Sequence, residues 1–435
     1  MADIKEVNTA VPRTRPRMVR TAVVVGTVLE HYDFFLYGTA AALVFNHQFF
    51  VSDSPVVASL AAFATFAVGF AARPVGAVLF GHLGDTLGRR RTLIMTLLLI
   101  GTATGLIGAI PNYGTIGVWA PILLVTLRLI QGLSFGGEWA GAVTLASEHA
   151  PQGREGRYAS LPQLGSPIGN ILSSGAFLAI THLPGEASAS WGWRIPFLAA
   201  FPLLFVALWV RNLVDESPAF KTIEKSHDVR RIPALTVLRS APGAMLAAAA
   251  IAFISIGGFF LVTTFAISYG TQTVGLSSGT MLIASMSAGA LQIVTVVLTG
   301  RLADRARPPR IALVGCLLTI ILAFPAVLAL SSGVPVLAVL GVAVIVQPIA
   351  MTYAVTGVIL PSLFSADVRY SGVALGYNIA GLVGGFVPMV ATALAPGSGS
   401  QAWPIAALLI VIAAISAGGV WGARTRTSHN QGASA

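Results

Sequence analysis

Charge is what this chain has least of: Asp, Glu, Lys and Arg together make up 10% of 435 residues, against 55% hydrophobic residues and a mean hydropathy of +0.81. Soluble domains carry about a quarter charged residues, so a soluble globular protein is excluded and a membrane protein is indicated. Cysteine is reduced to Cys316 in an apolar run, which excludes a disulfide framework or thiolate metal cluster and leaves a packing residue. The seven histidines include no i, i+4 pair, and neither HExxH nor GxxxxGK[ST] occurs, so no zinc hydrolase, ATP-driven pump or other enzyme is indicated and no cofactor or metal is expected. The first 20 residues are polar with five basic ones, and no small-residue cleavage pattern follows, so no cleaved signal peptide is expected.

What is present is a succession of long apolar runs. A bilayer core about 30 Å thick needs roughly 20 apolar residues per helical crossing. Runs bounded by charge, glycine and proline predict crossings at 20–45, 56–82, 92–110, 117–147, 158–181, 194–212, 242–268, 278–301, 310–331, 335–362, 370–394 and 402–422. The net charge of +10 is topological: with both termini in the cytoplasm, every Lys and Arg falls on that face except Arg73 and Arg128, inside apolar runs, and Arg194, opposite. This positive-inside asymmetry argues for twelve spans in a bacterial inner membrane and against nucleic-acid binding. The longest polar interruption divides the chain into a tail (1–19), a six-helix bundle (20–212), a cytoplasmic loop (213–240), a second bundle (241–423) and a second tail (424–435).

An internal repeat supports that division. GHLGDTLGRRR at 81–91 follows the second span and GRLADRARPPR at 300–310 follows the eighth, sharing Gly, Leu, Asp and a closing Arg in register. The first copy, with Gly81, Leu83, Asp85, Gly88, Arg89 and Arg90, resembles the signature loop of the major facilitator superfamily; the second keeps Gly300, Leu302, Asp304, Arg305 and Arg310 but has Arg307 for the second glycine. Glu30-His31-Tyr32-Asp33-Phe34, Arg73-Pro74-Val75-Gly76, Arg128-Leu129-Ile130-Gln131-Gly132, Gly136-Gly137-Glu138-Trp139, Trp193-Arg194-Ile195-Pro196-Phe197 and Glu216-Ser217-Pro218-Ala219-Phe220 are similar to its metabolite:proton symporter branch. The resemblance implies an all-α fold of twelve helices in two bundles, alternating access, and uptake coupled to protons. His31 departs from it, since the branch usually has Trp there.

An ionised side chain at mid-bilayer costs about 2.5 to 3.5 kcal/mol on insertion scales, so each embedded charge needs a reason. Glu30, Asp33, Arg73, Arg128 and Glu138 are embedded, and three acids against two guanidiniums leave one acid to take up a proton. Glu30, Asp33 and Tyr37 recur at i, i+3 and i+7 and share a helix stripe. Asp33 is read as the proton carrier, with Glu30, Arg128 and Glu138 completing the proton-coupling set; permanent ion pairing is the alternative, weightier for Glu30. Arg128 can hold a carboxylate or tune a nearby acid, and the resemblance favours the second. Arg73 reads equally as a substrate anchor or a structural ion pair. Glu138, seven residues after Gln131, shares its face, while His31 lies off the acid stripe and reads as hydrogen-bonded packing.

The substrate-binding candidates are Arg73, Tyr37, Gln131, Gln163 and Asn170 in the first half and Phe259, Gln347, Tyr353, Tyr377 and Asn378 in the second. Pro167 between Gly165 and Gly169 predicts close packing or a bend in the fifth span. Gly81, Asp85, Gly88, Arg89, Arg90, Asp304 and Arg305 are read as a cytoplasmic gate latch. Cations in one half opposite neutral polar and aromatic groups in the other suit a ligand with one acidic end, such as a shikimate-like monocarboxylate, better than a triacid. The rival readings are a proton-coupled exporter, a passive facilitator and a proline or betaine symporter; the 14-residue tail after Trp421, without heptads, weighs against the last. A monomer is expected, with substrate, protons and membrane lipids as partners.

Overall fold

The computed structural model describes residues 16–87, 89–136, 150–183, 188–212, 241–365, 368–395 and 403–432, together with 139, 143, 146 and 237–239. Most of the expected inter-bundle loop and Glu138 lie outside these residues, as do Gly88 and the side chains of Gly81, Asp85, Arg89 and Arg90.

Helices occupy every expected span. They are α1 (Pro16–Ala40), α2 (Pro55–Leu87), α3 (Arg89–Ala109), α4 (Trp119–Ser134), α5 (Gly165–Thr181), α6 (Ala200–Asn212), α7 (Pro242–Phe253), α8 (Ser278–Ala303), α9 (Pro308–Ser331), α10 (Pro335–Ser362), α11 (Arg369–Gly385) and α12 (Trp403–Gly432). Eight helical stretches among the described residues are long and apolar enough to cross a bilayer by themselves, and Ile94–Ala109 and Trp119–Ser134 are shorter apolar helices. Proline supplies the opening turn of α7, α9 and α10, where its missing N–H costs nothing. The Ser277 hydroxyl caps α8 by accepting the Thr280 N–H at 3.1 Å.

The ends differ from the sequence expectation where charge suggests a loop. α2 continues through the signature segment to Leu87, and α3 resumes at Arg89. α4 stops at Ser134 instead of running unbroken to 147, turning at Phe135 and Gly136. The irregularity of the fifth span falls at a 3₁₀ turn, Pro162–Leu164, while Pro167 sits harmlessly in the first turn of α5.

The packing repeats with a period of six helices. In the first half α1 lies on α5, α4 on α2 and α3, and α6 on α3; in the second α7 lies on α11, α10 on α8 and α9, and α12 on α9. The halves meet along two seams, α2 against α11 and α5 against α8, and shifting each number by six exchanges one seam for the other. A two-fold pseudo-symmetric pair of bundles with its seams around the middle is the architecture of a rocking carrier.

Small residues bring α2 and α4 into backbone contact. A Cβ on Gly132 would lie 2.1 Å from the Gly69 carbonyl oxygen, and one on Gly76 would lie 1.8 Å from that of Leu133. The obstacle is helix backbone and cannot swing aside. Gly76→Ala is therefore expected to cost several kcal/mol or prevent folding, read as lost yield and a lowered Tm in detergent. Gly26→Ala, where nothing lies within 4 Å, should leave both unchanged.

α7 is not a plain helix. π turns at Ile254–Gly258 and Leu261–Phe265 flank Phe259 and Phe260 before the helix resumes at Ala266–Gln272. The first has a visible cause: the Ser416 hydroxyl of α12 donates to the Ala250 carbonyl (2.7 Å) and accepts the Ile254 N–H (3.0 Å), standing where a direct i, i+4 bond would form. π turns re-aim side chains, and these two present paired phenylalanines to the centre.

Candidate substrate and proton site

The acid stripe of α1 faces inward, with Glu30, Asp33 and Tyr37 all buried. Asp33 points into its own half. Its Oδ1 accepts from the Thr104 hydroxyl of α3 and from Gln131 Nε2 of α4 (2.8 Å). Arg128 is fully buried, but its NH1 donates to Gln131 Oε1 at 3.1 Å and stays 3.9 Å from Asp33 Oδ2. Gln131 thus stands between acid and base. Its amide bridges the two, while Asp33 Oδ2 and Arg128 Nε and NH2 have no hydrogen-bond partner among the described residues.

Arg128 is otherwise held by rings and a gap. Its guanidinium carbon lies 4.1 Å from the Tyr37 ring centroid, and Tyr37 donates to Thr65 Oγ1 at 2.7 Å. Any Cβ on Gly69 would collide with Arg128 at 2.4 Å, so that glycine makes the room. Tyr37 and Gln131, expected to touch substrate, are instead committed within the first bundle to Arg128 and Asp33.

Arg73 of α2 sits at the α2–α11 seam. Its guanidinium carbon is 4.0 Å from the Phe34 centroid, 4.3 Å from Phe70 and 5.5 Å from Phe135. The Glu30 carboxylate and the Tyr377 side chain are near it. Phe34 is shared by the two clusters, since Arg128 lies 5.4 Å from the same ring. Glu30, placed by sequence in the proton-coupling set, therefore stands with Arg73, Tyr353 and Tyr377.

The second half closes over this centre. Tyr377 stacks on Trp139 at 3.6 Å with 10° between planes, and Trp139 Nε1 donates to Gln163 Oε1 at 3.3 Å. Gln163 Nε2 reaches Thr356 Oγ1 (3.3 Å), and Asn378 Nδ2 donates to the Gly136 carbonyl (2.7 Å). His31 Nδ1 is 2.7 Å from the Thr27 carbonyl, so that nitrogen carries the hydrogen and leaves Nε2, 3.4 Å from Tyr353 Oη, as an acceptor. Asn170 bonds both the carbonyl and the hydroxyl of Ser285 at 3.0 Å. Phe259 meets Phe35 (5.6 Å), and Phe260 meets Phe66 (5.0 Å) and Phe70 (5.3 Å).

One candidate falls elsewhere. Gln347 accepts from the Thr295 hydroxyl at 2.6 Å and donates to the Ala343 carbonyl at 2.6 Å, in the groove between α10 and α8 and apart from Tyr353 and Tyr377. Residues not singled out from sequence include Thr104, Thr65 and the rings Phe70 and Phe135, and Phe34 belongs to a quoted motif that gives it no role. Trp139 belongs to a quoted motif without having been given a role.

Bridges between halves occur at both ends. Where α1 and α7 end, Ser59 donates to Gln272 Oε1 (2.8 Å) and Gln272 Nε2 to the Ala42 carbonyl (3.2 Å). Where α8 ends, Arg157 pairs with Asp304 at 2.6 Å, and its backbone N–H donates to the same carboxylate at 3.1 Å. Among the described residues the two halves are thus bridged at both ends.

Comparison with known proteins agrees with this architecture. The profile of the Major Facilitator Superfamily matches residues 23–388. The chain is 42% identical over 387 residues to the shikimate transporter of Escherichia coli K12, covering 88% of each. It is 32% identical over 407 residues to the proline/betaine transporter of the same strain, covering 91% of this chain and 81% of that one. Among solved structures, a D-xylose-proton symporter superposes with a TM-score of 0.72 at 19% identity, over 92% of this chain and 97% of that one. Two bundles exchanged by a six-helix shift, buried acids and guanidiniums inside the first of them, and a family match along most of the chain lead to one conclusion: the chain belongs to the major facilitator superfamily and is an integral membrane transporter, not an enzyme.

Proposed function

We propose that the protein imports a small organic acid, of the shikimate-like monocarboxylate class, together with protons, from a bacterial inner membrane in which both termini face the cytoplasm. The observation that carries this reading is Arg73: one guanidinium, buried on aromatic faces at the seam between halves, next to Tyr377 of the opposite half. A planar cation on rings, beside hydroxyls, matches a ligand with a single carboxylate on an uncharged hydroxylated ring. The 42% identity to a shikimate transporter supports the same class. Asp33, held near Arg128 by a neutral amide, is the group assigned to carry the proton.

The test is uptake of labelled shikimate into proteoliposomes with an imposed inside-alkaline gradient. Accumulation above equilibrium, collapsed by an uncoupler and competed by other cyclic monocarboxylates, is the expected result. Accumulation of betaine in preference would replace it with the zwitterion reading. Extrusion would make the protein an exporter, and uptake indifferent to the uncoupler would make it a passive facilitator.

A further inference from the structure

Outside the central site, the structure holds a cleft of about 500 Å³ lined by Arg157, Leu298, Arg301, Leu302 and Arg305. Its composition is unusual for a surface hollow, with three guanidiniums and two leucines. Leu298 and Leu302 belong to a longer feature, since Leu291, Val294, Leu298 and Leu302 recur at i, i+3, i+7 and i+11 on α8 and are each about half exposed. In a bilayer that stripe faces acyl chains. It runs down α8 and ends at the arginines.

The two acids that adjoin these arginines, Asp304 and Glu155, are each already engaged. Asp304 is committed to Arg157 and buried at 4% exposure, and Glu155 Oε1 accepts the backbone N–H of Gly153. Arg301 and Arg305 are exposed and have no carboxylate partner among the described residues. Arg157 is 42% exposed, and its Nε–H is not directed at the Asp304 oxygen although the charges are 2.6 Å apart. No hydrogen bond from its two terminal nitrogens occurs among the described residues, which leaves them to serve a second anion.

From this juxtaposition we infer that the cleft is a binding site for the headgroup of an anionic phospholipid, the phosphate held by Arg157, Arg301 and Arg305 and the acyl chains laid along the α8 stripe. A planar donor fork suits a phosphate in two-point contact, and juxtamembrane basic residues attract anionic lipid. The apolar stripe distinguishes a lipid from a free anion. Because Arg157 also bridges α5's lead-in to the end of α8, an occupied cleft draws on the same side chain that ties the halves together at this end.

The test uses the full-length protein, delipidated in a neutral detergent and titrated with short-chain phosphatidylglycerol, with phosphatidylcholine of the same chains, and with inorganic phosphate. Binding is read by native mass spectrometry and by thermal shift. Phosphatidylglycerol is expected to bind at concentrations where the other two do not. Each arginine near anionic lipid contributes about fivefold in affinity, so Arg301→Gln with Arg305→Gln should weaken phosphatidylglycerol roughly 25-fold, while Arg310→Gln, outside the cleft, should change nothing. Equal binding of phosphatidylcholine would reduce the site to an apolar groove, and equal binding of inorganic phosphate to a bare anion site; either overturns the inference, as does full affinity in the double variant. Should that variant be polydisperse, the single variants and the wild-type lipid comparison decide the matter alone.

Discussion

Replacing Asp33 with asparagine is expected to abolish proton-driven accumulation while leaving exchange of substrate across the membrane in place. The substitution is close to isosteric, and an amide oxygen can still accept from Thr104 and Gln131 as Oδ1 does now. What disappears is a group that can bind and release a proton. Its setting favours that use: Arg128 is 3.9 Å away with Gln131 between, so neither protonation state is locked by a tight ion pair. The driving force forfeited is about 1.4 kcal/mol per pH unit and about 2.3 kcal/mol per charge for each 100 mV, roughly a tenfold gradient or more for each proton carried. Counterflow in preloaded proteoliposomes should persist, because the seam contacts that exchange requires do not involve Asp33. Glu30→Gln is the instructive comparison: Glu30 stands beside Arg73 and Tyr377, so its loss should alter apparent substrate affinity and spare the coupling. Undiminished accumulation by the Asp33 variant would remove this residue from the coupling scheme.

Much of this arrangement is legible from residues alone, for identifiable reasons. Embedded acids and guanidiniums stand out because hydrocarbon penalises them, and their spacing places them on interior faces. The two halves show themselves because a charged loop is repeated. Thr104 gives no such signal, since a threonine in a membrane helix ordinarily bonds its own i−4 carbonyl, and Thr104 lies 2.8 Å from that of Ile100 while also serving Asp33. Gln347 misleads in the opposite direction. An amide in an apolar run must find partners, but sequence does not say that Thr295 and Ala343 supply them locally. The first π turn of α7 depends on Ser416, more than 160 residues away, which inserts a hydroxyl into the ladder. Nor does charge mark where a helix ends at the membrane surface, because α2 runs through the signature segment to Leu87.

The two bundles divide the work unequally despite their shared packing. The first holds the embedded charges and spends Tyr37, Gln131, Thr65 and Thr104 on keeping them in place. The second presents uncharged groups, Tyr353, Tyr377, Thr356 and Asn378, which reach across to His31, Trp139, Gln163 and the Gly136 carbonyl. These central bridges are neutral hydrogen bonds or ring contacts, each worth about 1 kcal/mol. Bonds of that size can break in turn as the bundles rock, whereas a buried ion pair across the seam would resist opening by 3 to 5 kcal/mol or so. Among the described residues the charged bridge between halves is Arg157 with Asp304, at one end, where the Arg157 side chain is partly solvated.

Arg73→Lys is expected to lose most substrate uptake even though it conserves the charge. The present side chain uses its plane: the guanidinium lies 4.0 Å from Phe34 and 4.3 Å from Phe70, and a Cβ on Gly385 would meet Phe70 at 2.7 Å, so α11 packs closely against this stack. A lysine ammonium is a strongly hydrated point charge that neither stacks on two rings nor offers two parallel donors to a carboxylate. Losing one charge-assisted hydrogen bond removes about 1.5 to 3 kcal/mol, which is roughly tenfold to a hundredfold in affinity. The loss should appear as a raised KM for a monocarboxylate, with proton-dependent accumulation surviving at saturating substrate, because Asp33 and Arg128 are held by Thr104 and Gln131 and not by Arg73. That split separates the two roles experimentally. A structural ion pair with Glu30 would be partly preserved by lysine, so an Arg73→Lys protein with unchanged KM would assign Arg73 to holding the helices together and leave the substrate anchor to be found among the tyrosines of α10 and α11.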